Sequence, residues 1–178
     1  MTEPDMIVTF SPIGVIHSPF PTAAGTPIQP ATAAGALGTV EILPHLAPAL
    51  EEIEEFERIW LLYQFHQAYG FRPTVVPFLD TRPHGLFATR SPARPNPLGL
   101  SVVRLLAVRG NLLEVADIDV VDGAPLLDIK PYVPRFDSFS PSRAGWMDEA
   151  GRPEATHADG RFAPPATPDT KTPRSERT

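Results

Sequence analysis

The chain contains two long apolar runs side by side, LGLSVVRLLAVRG (98–110) and NLLEVADIDVVDG (111–123). Both are rich in valine, leucine and isoleucine, and β-branched residues favour extended strands. Arg109-Gly110-Asn111 joins them, and Gly and Asn accept the backbone angles that a tight hairpin turn requires. This stretch therefore predicts a long β-hairpin.

Shorter strand signals flank the hairpin on both sides. Apolar residues predict strands in VTFSPIGVIHSPF (8–20), TVEILP (39–44), IWLLYQFHQA (59–68) and PLLDIKPYV (125–133). For residues 59–68 the alternative is the continuation of a preceding helix, and we favour the strand. HGLFATR (84–90) also alternates, whereas proline makes FRPTVVPFL (71–79) an edge strand or a loop. The segment PTAAGTPIQPATAAGALG (21–38) is typical of a loop, because Pro and Gly dominate turns.

One segment predicts a substantial helix. In LAPALEEIEEFERIW (46–60), Leu50, Ile53 and Phe56 recur at helical spacing, and five glutamates occupy the other faces. Several short strands with one helix and hairpin connections indicate a mainly β fold, either a barrel or a sandwich.

The composition changes near residue 138. Pro, Ser, Thr, Ala, Gly and charged residues replace the apolar pattern beyond that point. We therefore expect one ordered domain over residues 1–137. A Pro-rich tail over residues 138–178 is expected to be disordered or loosely attached, most of all beyond Gly160.

The composition of the 178 residues excludes several classes of protein. The chain has no cysteine, so it forms neither disulfides nor thiolate metal sites, which is compatible with a cytoplasmic protein. No apolar run is long enough to span a membrane, and the N-terminus does not have the pattern of a signal peptide. The five histidines are scattered, and we predict no metal site.

The net charge of −6 argues against general nucleic-acid binding, because counterion release supplies most non-specific affinity. The charge is unevenly distributed, however. Five of the nine bases before residue 138 lie between Arg82 and Arg109. A local basic face therefore remains compatible with the sequence.

The segment ATRSPARPNPLGLS (88–101) combines Arg90 and Arg94 with three prolines. Proline restricts the backbone, so a guanidinium in this loop is preorganised to bind a carboxylate or a phosphate. The alternative is a surface loop whose arginines pair with the acidic residues 51–57. The residue types alone favour neither interpretation.

A second group of polar residues lies in DIDVVDGAPLLDIKPY (117–132). We expect Asp117 and Asp119 to point the same way on a strand, and Asp122 to begin a turn. Asp128 and Lys130 share one face of the next strand, with Tyr132 beyond them. These groups either line one pocket or serve as turn and ion-pair residues.

Together the motifs resemble the TrmO family, also called the TsaA-like family. IGVIHSPF, PIQP, LLYQFHQA, GLFATRSPARPNPLGLS and DIDVVDGAPLLDIKPYVPRFD occur there in the same order, from about Ile13 to Asp137. The family usually has threonine where Ala124 stands. The sequence has no G-x-G-x-x-G motif, which agrees with a family that differs from the Rossmann-type methyltransferases.

The resemblance implies a small β-barrel that binds S-adenosylmethionine and forms a homodimer, with the site near the subunit interface. Better known members methylate N6 of threonylcarbamoyl-adenosine beside the tRNA anticodon. Carried over by motif, the cofactor contacts fall at Pro30, Ala31, Thr32, His66, Gln67, Ala68, Arg90, Leu100, Ala116, Asp117, Ile118 and Asp119. From its position alone, the alternative for His66 is a structural, half-buried residue.

Roles for individual residues follow from the chemistry of this cofactor. Arg90 would bind its carboxylate, or an RNA phosphate. Phe87 would lie near the sulfonium, because an aromatic face attracts cations. Asp117 or Asp119 would accept hydrogen bonds from the ribose hydroxyls.

For the methyl acceptor, our candidate holding residues are Arg94, Lys130 and Tyr132, with Asp122 first among the possible proton acceptors. Three functions remain open. The first is a tRNA methyltransferase, the second a methyltransferase of a small molecule, and the third a non-enzymatic module that binds the cofactor. The acidic body and the neutral tail keep the second alternative open.

Overall fold

A computed structural model describes residues 7–150 and 156–164, and its fold is mainly β, as predicted. Six strands form a closed barrel in the order β1-β2-β7-β6-β3-β8, and a two-stranded sheet, β4-β5, lies beside it. The strands are β1 (Gly14–His17), β2 (Leu37–Ile42), β3 (Arg58–Gln64), β4 (Thr74–Val75), β5 (His84–Gly85), β6 (Leu98–Arg109), β7 (Leu112–Ala116) and β8 (Ala124–Pro131).

The predicted hairpin is confirmed as β6 and β7. Arg109 pairs with Leu112 across the turn, and Gly110 has the positive φ of 65° that the turn needs. The first half of β6 pairs with β3 and the second half with β7, so this one strand links two sides of the barrel. β7 is shorter than predicted, because it ends at Ala116 and Asp117 has a φ of 66°.

The core fills the interior of the barrel with aliphatic side chains from alternating strand positions. The fully buried members include Ile16, Val40, Ile59, Leu61, Val103, Leu113, Val115 and Leu126. Each such side chain stabilises the fold by roughly 1.5–3 kcal/mol relative to its exposed state. The barrel therefore provides a rigid frame for the loops at its ends.

The prediction of a substantial helix over residues 46–60 is wrong. Short 3-10 helices form at Pro44–Leu50 and Ile53–Glu55, and β3 begins at Arg58. Pro48 has no N–H to donate to a helical hydrogen bond, and Glu52 has a φ of 65°, which interrupts any regular helix. Leu50 and Ile53 still pack on the core. The apolar spacing thus indicated which side chains pack on the core and did not indicate an α-helix.

The residues after β8 contact the rest of the molecule at several points. A single-turn helix, α1, spans Pro134–Asp137, and a 3-10 helix spans Gly145–Asp148. The indole of Trp146 stacks on His84 at 4.7 Å and donates a hydrogen bond to the Ala88 carbonyl at 2.8 Å. Phe162 is buried, so residues 156–164 are attached more tightly than the composition predicted. Most of the tail beyond Gly160 lies outside the described residues.

The described part of the chain contains no helix that is long and apolar enough to cross a membrane.

Candidate functional site

Three polar side chains form a hydrogen-bonded chain beside the core. The Tyr63 hydroxyl lies 3.1 Å from Ser101 Oγ, and Ser101 Oγ donates to Asp119 Oδ1 at 2.6 Å. Because the serine proton goes to Asp119, the Tyr63 hydroxyl donates to Ser101. Gly99 gives room for the phenol ring, since a Cβ there would lie 2.3 Å from it. The three hydrogen-bonded side chains are therefore held in one arrangement.

Burial changes the ionisation of both ends of this chain. Burial raises the pKa of Asp119 to about 6, while the Ser101 hydrogen bond and the positive charge of Arg90 oppose the rise. Burial, with the negative charge of Asp119, also raises the pKa of the Tyr63 phenol. Asp119 is thus a carboxylate that ionises near neutral pH beside a phenol that stays neutral.

The arginine–proline loop is held together by Arg94. Its Nη1 donates to the carbonyl of Thr89 at 2.8 Å and also lies within reach of the Ser91 and Leu86 carbonyls, at 3.3 and 3.5 Å. The guanidinium also lies 5.7 Å from the centroid of the exposed Phe87 ring. Arg94 therefore stabilises the loop that carries Arg90.

Arg90 is exposed and points towards two other predicted parts of the site. Its Nη1 donates to the Gln29 side-chain oxygen, and Gln29 precedes the 3-10 helix Pro30–Thr32. Its charge also acts on Asp119. The alternative pairing with residues 51–57 is not formed, because within the described residues neither Arg90 nor Arg94 makes an ion pair.

Asp117 and Asp119 point to different partners, so the expectation that they share one face is wrong. Asp117 accepts from the Gly35 N–H at 3.0 Å and from Arg58 at 3.2 Å, and Arg104 Nε lies 3.8 Å away. Its positive φ ends the alternation of the strand. The Asp117 carboxylate thus fixes the turn that follows Pro30–Thr32.

A narrow, largely apolar slot lies where β3 ends. It is lined by Tyr63, the segment from Phe65 to Ala68, Pro92, Val121, Ala124 and Phe162. The Gln67 amide donates to the Pro21 carbonyl at 3.2 Å, and His66 is exposed. The predicted cofactor contacts at residues 66–68 therefore line the same slot as Tyr63. The Tyr63 hydroxyl is linked through Ser101 to Asp119.

The remaining predicted cofactor contacts differ in exposure. Ala116 and Ile118 are buried, and the Ile118 N–H donates to the Ala36 carbonyl at 3.2 Å. Ala31 is exposed, and Leu100 lies on the outer face of β6. Leu100 is thus directed away from the core that its neighbours Gly99 and Ser101 face.

Two of the predicted substrate residues, Lys130 and Tyr132, lie apart from the slot within one chain. Lys130 pairs with Asp128 at 2.8 Å, and the Tyr132 ring lies 5.8 Å from Trp60. Lys130 lies six positions along β8 from Ala124, which corresponds to about 20 Å of extended strand. Asp122 lies in the turn anticipated for it, next to Val121 of the slot, and its carboxylate accepts from the Ser18 N–H at 2.9 Å.

Sequence reasoning missed four residues of this site. They are Gln29, Tyr63, Ser101 and Phe162. Tyr63 and Ser101 carried one usable signal, since each is a polar group at an inward position of an apolar strand. Within residues 7–150 and 156–164, no three His, Asp or Glu side chains lie together as a metal site.

The family model for the N-terminal domain of tRNA-methyltransferase O matches residues 15–138. A probable S-adenosyl-L-methionine-binding protein of Pyrococcus abyssi is 48% identical over 158 residues, covering 88% of this chain and 86% of that protein. The tRNA (adenine(37)-N6)-methyltransferase of Escherichia coli is 38% identical over 151 residues, covering 79% of this chain and 64% of that protein.

The chain is also similar to solved structures. A crystal structure of TrmO from Pseudomonas aeruginosa is 42% identical, with a TM-score of 0.66, covering 79% of this chain and 62% of that one. This chain thus spans slightly less than two thirds of the Escherichia coli protein and of the solved Pseudomonas aeruginosa chain.

Proposed function

The chain belongs to the tRNA-methyltransferase O family, and from this premise we propose that it is an S-adenosylmethionine-dependent methyltransferase. Its proposed acceptor is N6 of threonylcarbamoyl-adenosine beside the tRNA anticodon. The observation that carries the proposal is that Arg90 binds Gln29 and acts by its charge on Asp119, which is linked through Ser101 to Tyr63 in the wall of the slot. The cytoplasmic location remains a prediction.

The chemistry of these residues fits the cofactor. Arg90 makes no ion pair within the described residues and has donors beyond the one used on Gln29, so it fits the cofactor carboxylate. Asp119 has acceptor capacity beyond its Ser101 bond and fits ribose hydroxyls. The apolar slot fits the flat adenine ring. When bound, S-adenosylmethionine would supply the reactive methyl group.

The protein's own contribution is alignment and exclusion of water. The Arg94 hydrogen bonds fix the loop that presents Arg90. The loop therefore loses little conformational entropy when a ligand binds. Phe87 is exposed beside this loop, where an aromatic face attracts a cationic sulfur. Asp122 is engaged by Ser18 in a turn, and its role as proton acceptor stays a prediction.

We further propose a homodimer formed through the outer face of β6 and β3. Leu98 and Leu100 are 44% and 54% exposed where β6 pairs with β3, and Leu62 pairs with Leu100. An apolar stripe on a strand pair favours coverage by another protein surface. Lys130 pairs with Trp60 on the neighbouring strand, so a second copy on this face would lie beside Lys130.

A small-molecule methyl acceptor is the second candidate. The observation that favours it is the neutralisation of the basic residues counted for an RNA-binding face. Arginines of this group pair with acids at 3.4, 3.8 and 2.7 Å, namely Arg82 with Asp80, Arg104 with Asp117, and Arg109 with Glu114. Such pairing weakens the attraction for phosphates.

The deciding experiment follows a labelled methyl group from S-adenosylmethionine into two tRNA pools. One pool carries threonylcarbamoyl-adenosine, and the other comes from cells unable to make it. Label in the first pool alone supports the tRNA proposal. If neither pool is labelled by a sample that binds the cofactor, the tRNA proposal fails and the small-molecule candidate replaces it.

A further inference from the structure

Residues 156–164 lie beyond the part of the chain that the family model matches, yet they contact two loops of the candidate site. At one end, the Gly25 N–H donates to the Ala158 carbonyl at 2.7 Å, and the Ala158 N–H donates to the Thr26 carbonyl at 3.0 Å. Pro27 and His157 complete an antiparallel bridge. This end is thus tied to the loop that leads into Pro30–Thr32.

The other end is tied to the loop that follows β3. The Tyr69 N–H donates to the Phe162 carbonyl at 3.0 Å, directly after the predicted cofactor contacts at residues 66–68. Two separate loops of the site are therefore joined through one short segment.

The Phe162 side chain packs in a small apolar cluster and also lines the slot. It is only 5% exposed and packs with Val75, Leu86 and Ala93 in a small apolar cluster outside the barrel. The same ring is part of the wall of the slot that contains residues 66–68. Phe162 is thus both a packing residue and a surface that a ligand in the slot would touch.

Arg161 fixes the turn that presents Phe162. Its guanidinium pairs with Asp159, donates to the Val76 carbonyl at 3.2 Å, and lies 4.9 Å from the centroid of the Phe78 ring. The phenyl rings of Phe78 and Phe162 meet edge to face at 5.5 Å. The segment is therefore held by hydrogen bonds, charge and ring contacts together.

We propose that residues 156–164 are part of the cofactor pocket, with Phe162 forming the wall against the adenine ring. This inference rests on the proposed function of the same slot. Tyr63, Phe65 and Phe162 give the slot aromatic walls, and a flat heteroaromatic ring packs well against such surfaces.

The test compares Phe162→Ala with Val75→Ala in the full-length chain. Val75 belongs to the same apolar cluster and is equally buried, but it does not line the slot, so it controls for the loss of packing alone. Dissociation constants for S-adenosylmethionine and S-adenosylhomocysteine are measured by calorimetry, at a temperature where each variant is folded. Phe162→Leu, a milder change, is measured alongside.

We expect Phe162→Ala to weaken binding of both ligands about tenfold or more, a loss of ~1.4 kcal/mol. Phe162→Leu is expected to give an intermediate loss, and Val75→Ala less than a twofold change. Unchanged affinity in both Phe162 variants would overturn the inference, and so would an equal loss in Val75→Ala. Failure of the unmodified chain to bind either ligand would instead overturn the proposed function on which the inference rests.

Discussion

The raised pKa of Asp119 makes the Asp119→Asn substitution informative. The pKa rises from 3.8 to about 6 on folding, so the folded chain binds a proton more tightly than the unfolded chain. This group therefore stabilises the fold at low pH, and its contribution is lost as the pH rises through about 6. With these two values, the loss between pH 4.5 and 7.5 is about 2 kcal/mol.

Asparagine keeps the acceptor for Ser101 but cannot ionise. We therefore compare the free energy of unfolding of Asp119→Asn with that of the unmodified protein. The difference, variant minus unmodified, should be about 2 kcal/mol larger at pH 7.5 than at pH 4.5. Urea unfolding curves of both proteins at the two pH values give this difference, and other titrating groups cancel in the comparison. A difference that stays constant with pH would refute the assignment of Asp119 as a partly buried carboxylate whose pKa is raised.

Three further predictions follow from the loop and the barrel. Arg90→Ala should weaken S-adenosylmethionine binding about 10- to 100-fold, measured by calorimetry. Arg109→Ala removes an exposed arginine elsewhere and should leave binding unchanged. Equal effects of the two substitutions would point to general electrostatics. Arg94→Ala should lower the free energy of unfolding by about 1–3 kcal/mol, because backbone carbonyls lose their donor, and an unchanged melting temperature would contradict this. Gly99→Ala should cost at least about 1–3 kcal/mol, because the added methyl collides with Tyr63, and a neutral effect in urea unfolding would argue against that packing.

Features set by neighbouring residues could be predicted from the sequence. The β6–β7 hairpin follows from apolar runs around Gly110 and Asn111, and β3 follows from its apolar run. The turn at Asp122 and Gly123 is local in the same way, because Gly123 has a φ of 78° directly before β8. The strand pattern alone allows a barrel or a sandwich, and the family resemblance favours the barrel.

Features that depend on distant residues could not be predicted in this way. The Tyr63–Ser101–Asp119 chain joins positions far apart in sequence, and the pairing appears only when the barrel closes. The helix prediction failed because Pro48 and a left-handed Glu52 override apolar spacing. The structural role of the segment around Phe162 was hidden by its polar, Pro-rich surroundings.

A crystal structure of the protein with S-adenosylhomocysteine tests the central claim most directly. The account predicts that the ligand lies between the arginine–proline loop and the slot, with Arg90 at its carboxylate, Asp119 at its ribose and Phe162 against its adenine. A ligand bound at the opposite end of the barrel, near Gly110, would contradict it.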